Sequence, residues 1–161
     1  MSESKNELSE MATGAIFITD LAKYTTSLDD ASIWHKLELP GQEWVRFVLG
    51  ERGQNAAQVW IVKMPPNYVV PRHYHEVHRL EILLEGEYRM DGKLHKKGSI
   101  VSFKAFEEYG PLEFGPEGGM AMEVFPNTPG MPIFTDAPSE EVIRNLSLMG
   151  MKPMVKETAA E

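Results

Sequence analysis

The sequence predicts an all-β protein, an antiparallel sandwich or barrel that carries one short C-terminal helix. Three observations support this. Apolar residues fall in short runs bounded by Gly and Pro, no amphipathic helical pattern separates these runs before residue 136, and an Asp91-Gly92 hairpin signal joins two of them. Alternating strands and helices would instead indicate a parallel sheet.

Taken in order, residues 1–14 are rich in Ser, Glu, Asn and Lys and read as a flexible tail. Ile16-Phe17-Ile18 forms a short strand, and Asp20 caps a helical turn that runs to Tyr24. Residues 34–39 alternate and close at Pro40-Gly41, residues 44–49 close at Gly50, and residues 58–64 close at Pro65-Pro66. A histidine-bearing strand follows from Pro71, then residues 80–90, the Asp91-Gly92 turn, residues 99–103 and residues 120–125, ended by Pro126. Beyond it, Asp136-Ala137-Pro138 with Glu140 and Glu141 marks a helix start. Val142, Ile143, Leu146 and Met149 make a 3.6-period apolar stripe that lies on the outside of the sheet, and Gly150 is a natural stop. The chain from Lys152 reads as loose. The division is therefore a tail at 1–14, a barrel over 15–130, and a helix and tail over 131–161 packed on it.

A chain of 161 residues suits one domain with one core. The net charge of −8 and the lack of any basic tract disfavour nucleic-acid and anionic-membrane partners. No apolar run approaches the roughly 18 residues of a membrane span. The polar, acidic start is unlike a secretory signal, so a cytoplasmic location is expected. With no cysteine, any metal must be held by nitrogen and oxygen.

The chemistry concentrates between Pro71 and Gly86. His73 and His75 share one face of a strand, and paired neutral imidazoles suit zinc, iron, copper or nickel. Glu81 returns on the next strand, as a third ligand or general base or as an ion-pair partner of Arg79 or Arg89. His78 falls on the opposite face unless a bulge intervenes, and reads as a surface residue. Glu123 sits in an apolar run and shares its face with Ala121 and Phe125, which turns it inward, where burial makes a carboxylate a candidate general base. Arg46, Arg72, His35 and His95 read as surface residues. The methionines and tryptophans read as core or lining.

With these residues in view, the chain resembles the cupin superfamily of small β-barrels over residues 44–126. The first cupin motif reads Gly, five residues, His-x-His, three or four residues, Glu, six residues, Gly. Here Pro66 or Asn67 stands near the first glycine, His73 and His75 match the histidines, and Gly86 matches the last glycine. Arg79 occupies the Glu position. The second motif reads Gly, five residues, Pro-x-Gly, two residues, His; counted from Gly98, those places hold Lys104, Phe106 and Tyr109. The segment 61–75 is also similar to the approach strand of acetylacetone-cleaving dioxygenases.

The resemblance implies a cupin-type antiparallel β-barrel, or jelly roll, acting as a metal-dependent enzyme on a small organic molecule. An Fe(II)-type dioxygenase is the first expectation, with Mn, Ni and Zn as further divalent ions. His73 and His75 would hold the ion, Glu81 or Tyr109 would complete the set, and Glu81, Tyr109 and Glu123 are the candidate catalytic residues. The alternatives are a metal-assisted isomerase, decarboxylase or lyase, and a non-catalytic small-molecule-binding cupin. A homodimer is expected, paired through the N-terminal strands with Phe17, Ile18 and Trp34 contributing.

Overall fold

Residues 15–17, 26–51, 54–127, 132–149 and 154–156 are described by a computed structural model. In chain order the strands are β1 (Ala15–Phe17), β2 (His35–Lys36), β3 (Glu43–Val48), β4 (Gln58–Met64), β5 (Val69–Val70), β6 (His73–His75), β7 (Arg79–Met90), β8 (Lys93–Lys96), β9 (Ile100–Phe103), β10 (Leu112–Phe125), β11 (Pro132–Phe134) and β12 (Met154–Val155). A 3-10 turn occupies Ala31–Ile33 and one α-helix, α1, spans Glu140–Leu148. The Asp20 turn, the Gly150 stop and the tail at 1–14 lie outside the described residues.

The strands form two sheets. The larger runs β1-β3-β4-β10-β7-β8, with β2 paired to β3, β5 to β10 and β9 to β7; the smaller runs β12-β11-β6. Pairing is antiparallel except at β1·β3 and β11·β12. Those two strands are added by long returns of the chain and not by hairpins, so no tight turn dictates their direction.

Several sequence boundaries move. The expected strand at 34–39 contracts to β2, because Asp30 caps a 3-10 turn ahead of it by accepting a hydrogen bond from Ser32 N at 2.9 Å. β10 begins at Leu112, well before the expected residue 120. Gly115, Pro116, Gly118 and Gly119 look like turn punctuation, but they form an irregularity inside one long strand, where the pairing with β7 shifts register between Phe114 and Gly119. The segment from Lys152, read as loose, supplies β12, and Lys156 reaches Glu108 at 2.7 Å. The helix is capped by Ser139, whose hydroxyl accepts from Val142 N at 3.3 Å. Its buried face is Val142, Asn145, Leu146 and Met149, whereas Ile143 is exposed.

Alternation along the strands creates two apolar layers. Trp44, Trp60, Leu83, Phe103, Phe125 and Phe134 fill the barrel together with the inner face of α1. Ile33, Trp34, Val45, Ile61 and Met120 form a second cluster on the other face of the sheet. Phe17 and Trp34, expected to meet a second copy, are buried within this chain. Gly86 is a point of very close approach between the paired strands β7 and β10. Its φ is +75°, and a Cβ there would run into the Gly118 carbonyl and lie 2.8 Å from Gly119 Cα. Gly92 has a similar φ of +77° but open space around it.

This contrast is measurable. Gly92→Ala is expected to cost about 1–2 kcal/mol from the left-handed backbone alone. Gly86→Ala adds a backbone displacement and should cost about 3–4 kcal/mol, at roughly 2–4 °C of melting temperature per kcal/mol. Equal losses in thermal unfolding would refute the close approach of β7 and β10 as the reason for this glycine.

Candidate functional site

The site lies inside the barrel, where β6, β7, β10 and the segment before β10 converge. On β6, the rings of His73 and His75 both turn inward, with centroids 5.2 Å apart. Tyr109 is docked beside His73 by a two-way backbone bridge, with His73 N to Tyr109 O at 3.2 Å and the return bond at 3.1 Å. On β7, Arg79 and Glu81 project inward on alternate positions, and both are buried. Glu123 of β10 is the direct cross-strand neighbour of Glu81. Like charges placed opposite each other repel, and Arg79 stands between them.

Arg79 organises these groups. Its Nη1 lies 3.3 Å from Glu123 Oε2 and 3.8 Å from Glu81 Oε2. Its Nη2–H donates to the Tyr109 hydroxyl oxygen. The guanidinium carbon stands 4.1 Å from the Phe103 ring centre, with Tyr109 and Phe125 also around it. The Tyr109 O–H in turn donates to His73 Nε2 at 2.5 Å, and His73 Nδ1–H donates to the Pro71 carbonyl at 2.7 Å. The carbonyl accepts only, so the neutral ring carries its proton on Nδ1. At the far end, the Tyr88 hydroxyl donates to Glu81 Oε1 at 2.5 Å. Tyr88 and Glu81 are seven residues apart, an odd spacing that strict alternation would put on opposite faces. The pairing of β7 with β10 steps from Glu85 to Leu83 across Met120 and Ala121, so Leu84 is an extra residue that restores them to one face.

Burial dominates the electrostatics. Desolvation draws His73 down to about 4, opposed by the Pro71 carbonyl and reinforced by Arg79. Desolvation, with the Glu123 charge, pushes Glu81 up to about 7, against the pull of Arg79 and Tyr88. The Tyr88 hydroxyl is raised, first by burial and then by Glu81.

Two neighbouring cavities adjoin these groups. The outer one, about 110 Å³, is walled by Trp60, His73, His75 and Glu123 and roofed by Val142 and Leu146 of α1. The inner one, about 40 Å³, is lined by Arg79, Glu81, Tyr109, Phe114 and Ala121. Both are bordered by His73 and Glu123, which form part of the wall they share. The roof is fixed by Asn145, whose Nδ2–H₂ donates to Gln42 Oε1 at 2.8 Å and to Glu141, and whose Oδ1 accepts from Glu38 N at 2.7 Å.

No family model matches the sequence, and no curated protein matches it either. Solved structures do. The polyketide cyclase RemF of Streptomyces resistomycificus aligns over 83% of this chain and 99% of its own, at 17% identity and a TM-score of 0.54. The acetylacetone dioxygenase of Acinetobacter johnsonii covers 71% of this chain and 79% of its own, at 15% identity and 0.53. An RmlC-like cupin from Ralstonia eutropha covers 80% and 92%, at 13% identity and 0.50. The fold is the cupin fold. Within it, Bacillus subtilis oxalate decarboxylase, at 13% identity and 0.52, has Mn(II) centres; this chain spans 45% of its length.

A divalent ion does not fit the donor set of this site. The His73 Nε2 lone pair is taken by the Tyr109 hydroxyl, the motif's Glu position holds the Arg79 cation, and both carboxylates face that cation. Among the described residues no group of three His, Asp or Glu converges as a metal site would require. The structure thus brings His73, Glu81, Tyr109 and Glu123 together around a guanidinium, with His75 beside them on the outer chamber. His78 is exposed and accepts a hydrogen bond from Ala105 N at 3.1 Å. Two sequence readings are corrected. Arg46, read as exposed, is buried on the inner side of β3, and His95, read as a surface residue, is buried against Tyr88 with ring centres 5.1 Å apart. The sequence reading singled out neither Asn145, a polar residue inside an apolar helical stripe, nor Tyr88.

The two shifted groups pull the pH dependence of stability in opposite directions. His73 binds its proton less tightly when folded, so its contribution is complete above about 6.5 and lost as pH falls toward 4. Glu81 holds its proton more tightly when folded, so its contribution is complete below about 4.5 and lost as pH rises through about 7. Glu81→Gln removes the second effect. Its stability should rise with pH between these limits by up to about 1.4 kcal/mol per unit, while the parent protein stays flatter. Chemical denaturation across this range checks it, and parallel profiles would refute the assignment.

Proposed function

We propose that this cupin is an enzyme that moves a proton on a carbon beside the carbonyl group of a small, largely apolar organic molecule. Enolisation, isomerisation, cyclisation and lyase reactions share that step. The observation that carries the reading is the position of Glu123. It is half-buried and lines both chambers, and Arg79 holds its carboxylate at 3.3 Å. A substrate seated in the outer chamber against Trp60 and Val62 presents its reactive carbon to this carboxylate, and the α1 roof limits water around it. Glu81, opposite Glu123 and bonded to Tyr88, keeps the base in place. Likeness to a polyketide cyclase is in keeping with such chemistry, as fold-level analogy.

A second reading, the Fe(II)-dependent dioxygenase, draws support from the likeness to acetylacetone dioxygenase, and would require Tyr109 to release His73 Nε2. A cupin that binds a small molecule without reaction is the third.

The deciding measurement is deuterium exchange at the α-carbon of a panel of small ketones, followed by NMR in D₂O with EDTA-treated protein. The proposal expects exchange that persists without metal and falls by about 10²–10⁴ in Glu123→Gln. No exchange across the panel would overturn it. Oxygen consumption on adding Fe(II) and acetylacetone would move the assignment to the dioxygenase, and binding with neither activity to the binding protein.

A further inference from the structure

The outer side of the large sheet departs from the pattern of an ordinary antiparallel sheet. Register carries one row across five strands: Val45 of β3, Ile61 of β4, Met122 of β10, Ile82 of β7 and Ile100 of β9. Two residues along, the next row is Phe47, Val59, Val124, Leu80 and Ser102. Cross-strand partners share a face, and this face is the one opposite Trp60, Glu81 and Glu123. A sheet with one side on a core is expected to carry polar residues on the other. Here both rows lack any charge, and Ser102 is their one polar member. Ile33 and Trp34 pack over the β3 and β4 end, against Val45 and Ile61. Toward β7 and β9 the face lies open, with Ile100 66% and Leu80 36% exposed and Ile82, Met122 and Val124 only partly buried.

The row that borders this face selects its occupant. It holds Lys63 on β4, Met120 on β10 and the exposed Glu85 on β7. Consider two such sheets stacked face to face, with a two-fold axis between them that runs along β10. That operation keeps each residue level with its own row and exchanges the two sides of β10. Lys63 of each copy then comes level with Glu85 of the other, and the covered end of each face lies over the open end of its mate. The face is therefore complementary to itself in charge as well as in apolar character. We propose that the chain pairs with a second copy of itself through the outer face of β10, β7 and β9, about a two-fold axis along β10.

Size agrees with a reversible dimer. Five strands about 4.8 Å apart and three rows about 7 Å apart make a face of roughly 20 Å by 20 Å. That is about half of the ~800 Å² each partner gives to a standard interface, and a polar rim supplies the remainder in such contacts. This pairing differs from the one the sequence suggested, since Phe17 and Trp34 are already buried within the chain. It also leaves the interior site untouched, because Glu123 points to the other side of the sheet.

Sedimentation velocity of the full chain across the micromolar range tests it, and the mass should rise toward twice 18.2 kDa. Ile100→Glu and Leu80→Glu replace exposed side chains, so both variants should keep the parent's melting temperature and raise the dimer dissociation constant at least about tenfold. Ile143→Glu, at an equally exposed apolar position on α1, should leave the mass unchanged. Glu85→Lys and Lys63→Glu should each weaken self-association, and a mixture of the two should pair again, because opposite charges then meet at both contacts. A chain that stays monomeric, or a dimer that Ile100→Glu and Leu80→Glu leave intact, would overturn the proposal. A mixture that pairs no better than either variant alone would overturn the axis. A monomer that adsorbs to neutral phosphatidylcholine vesicles, and releases them in Ile100→Glu, would give the face to a lipid surface instead.

Discussion

The interior of this barrel depends on the buried guanidinium of Arg79. An isolated guanidinium in a low-dielectric core carries a desolvation penalty of several kcal/mol, recovered only through close partners. Arg79 meets Glu123 and Glu81 on one side and the Tyr109 hydroxyl on another, with Phe103 across its face. Each partner depends on it in turn. Without the cation, two carboxylates would face each other across a β ladder. The barrel therefore keeps a polar centre that no set of apolar side chains would need, and the chemistry of the site begins there.

The backbone makes that cluster possible through two irregularities. The extra residue at Leu84 restores Tyr88 to the face of Glu81, so the carboxylate is hydrogen-bonded at one oxygen and faces Arg79 with the other. The glycine-rich stretch inside β10 lets the strand pass close to Gly86 and continue as one spine from Leu112 to Phe125. That single strand carries both Glu123 and the inward aromatic residues that keep its surroundings dry. Fold and site are thus set by the same register.

Likeness to solved cupins at 13–17% identity concerns the frame. The frame positions an inward-facing histidine pair and an adjacent strand; which ion or group sits between them is a matter of individual side chains. Here a protein-borne charge stands where the cupin motif places a metal-binding carboxylate, and Tyr109 stands where it places a histidine. The roof adds a second distinction. Asn145 ties α1 to Gln42 and to the backbone at Glu38, so the mouth of the barrel is closed by a helix held through directional bonds.

Read by itself, the sequence determined the all-β class, most strand positions, the C-terminal helix and the stretch that carries the chemistry. Alternation and turn residues are local signals, and inward parity at His73, His75 and Glu123 follows from them. The true length of β10 was hidden because Gly115, Pro116 and Gly118 carry the same local signature in a bulge as in a turn. The burial of Arg46 and His95 was hidden because charge alone predicts exposure. What only the tertiary structure decided is how the polar side chains pair. Arg79 looked like a departure from a motif, and it became the hub of the site because strands distant in sequence deliver Glu123, Tyr109 and Phe125 to within a few ångströms of it. Contacts of that kind depend on register between strands, and register is a property of the assembled sheet.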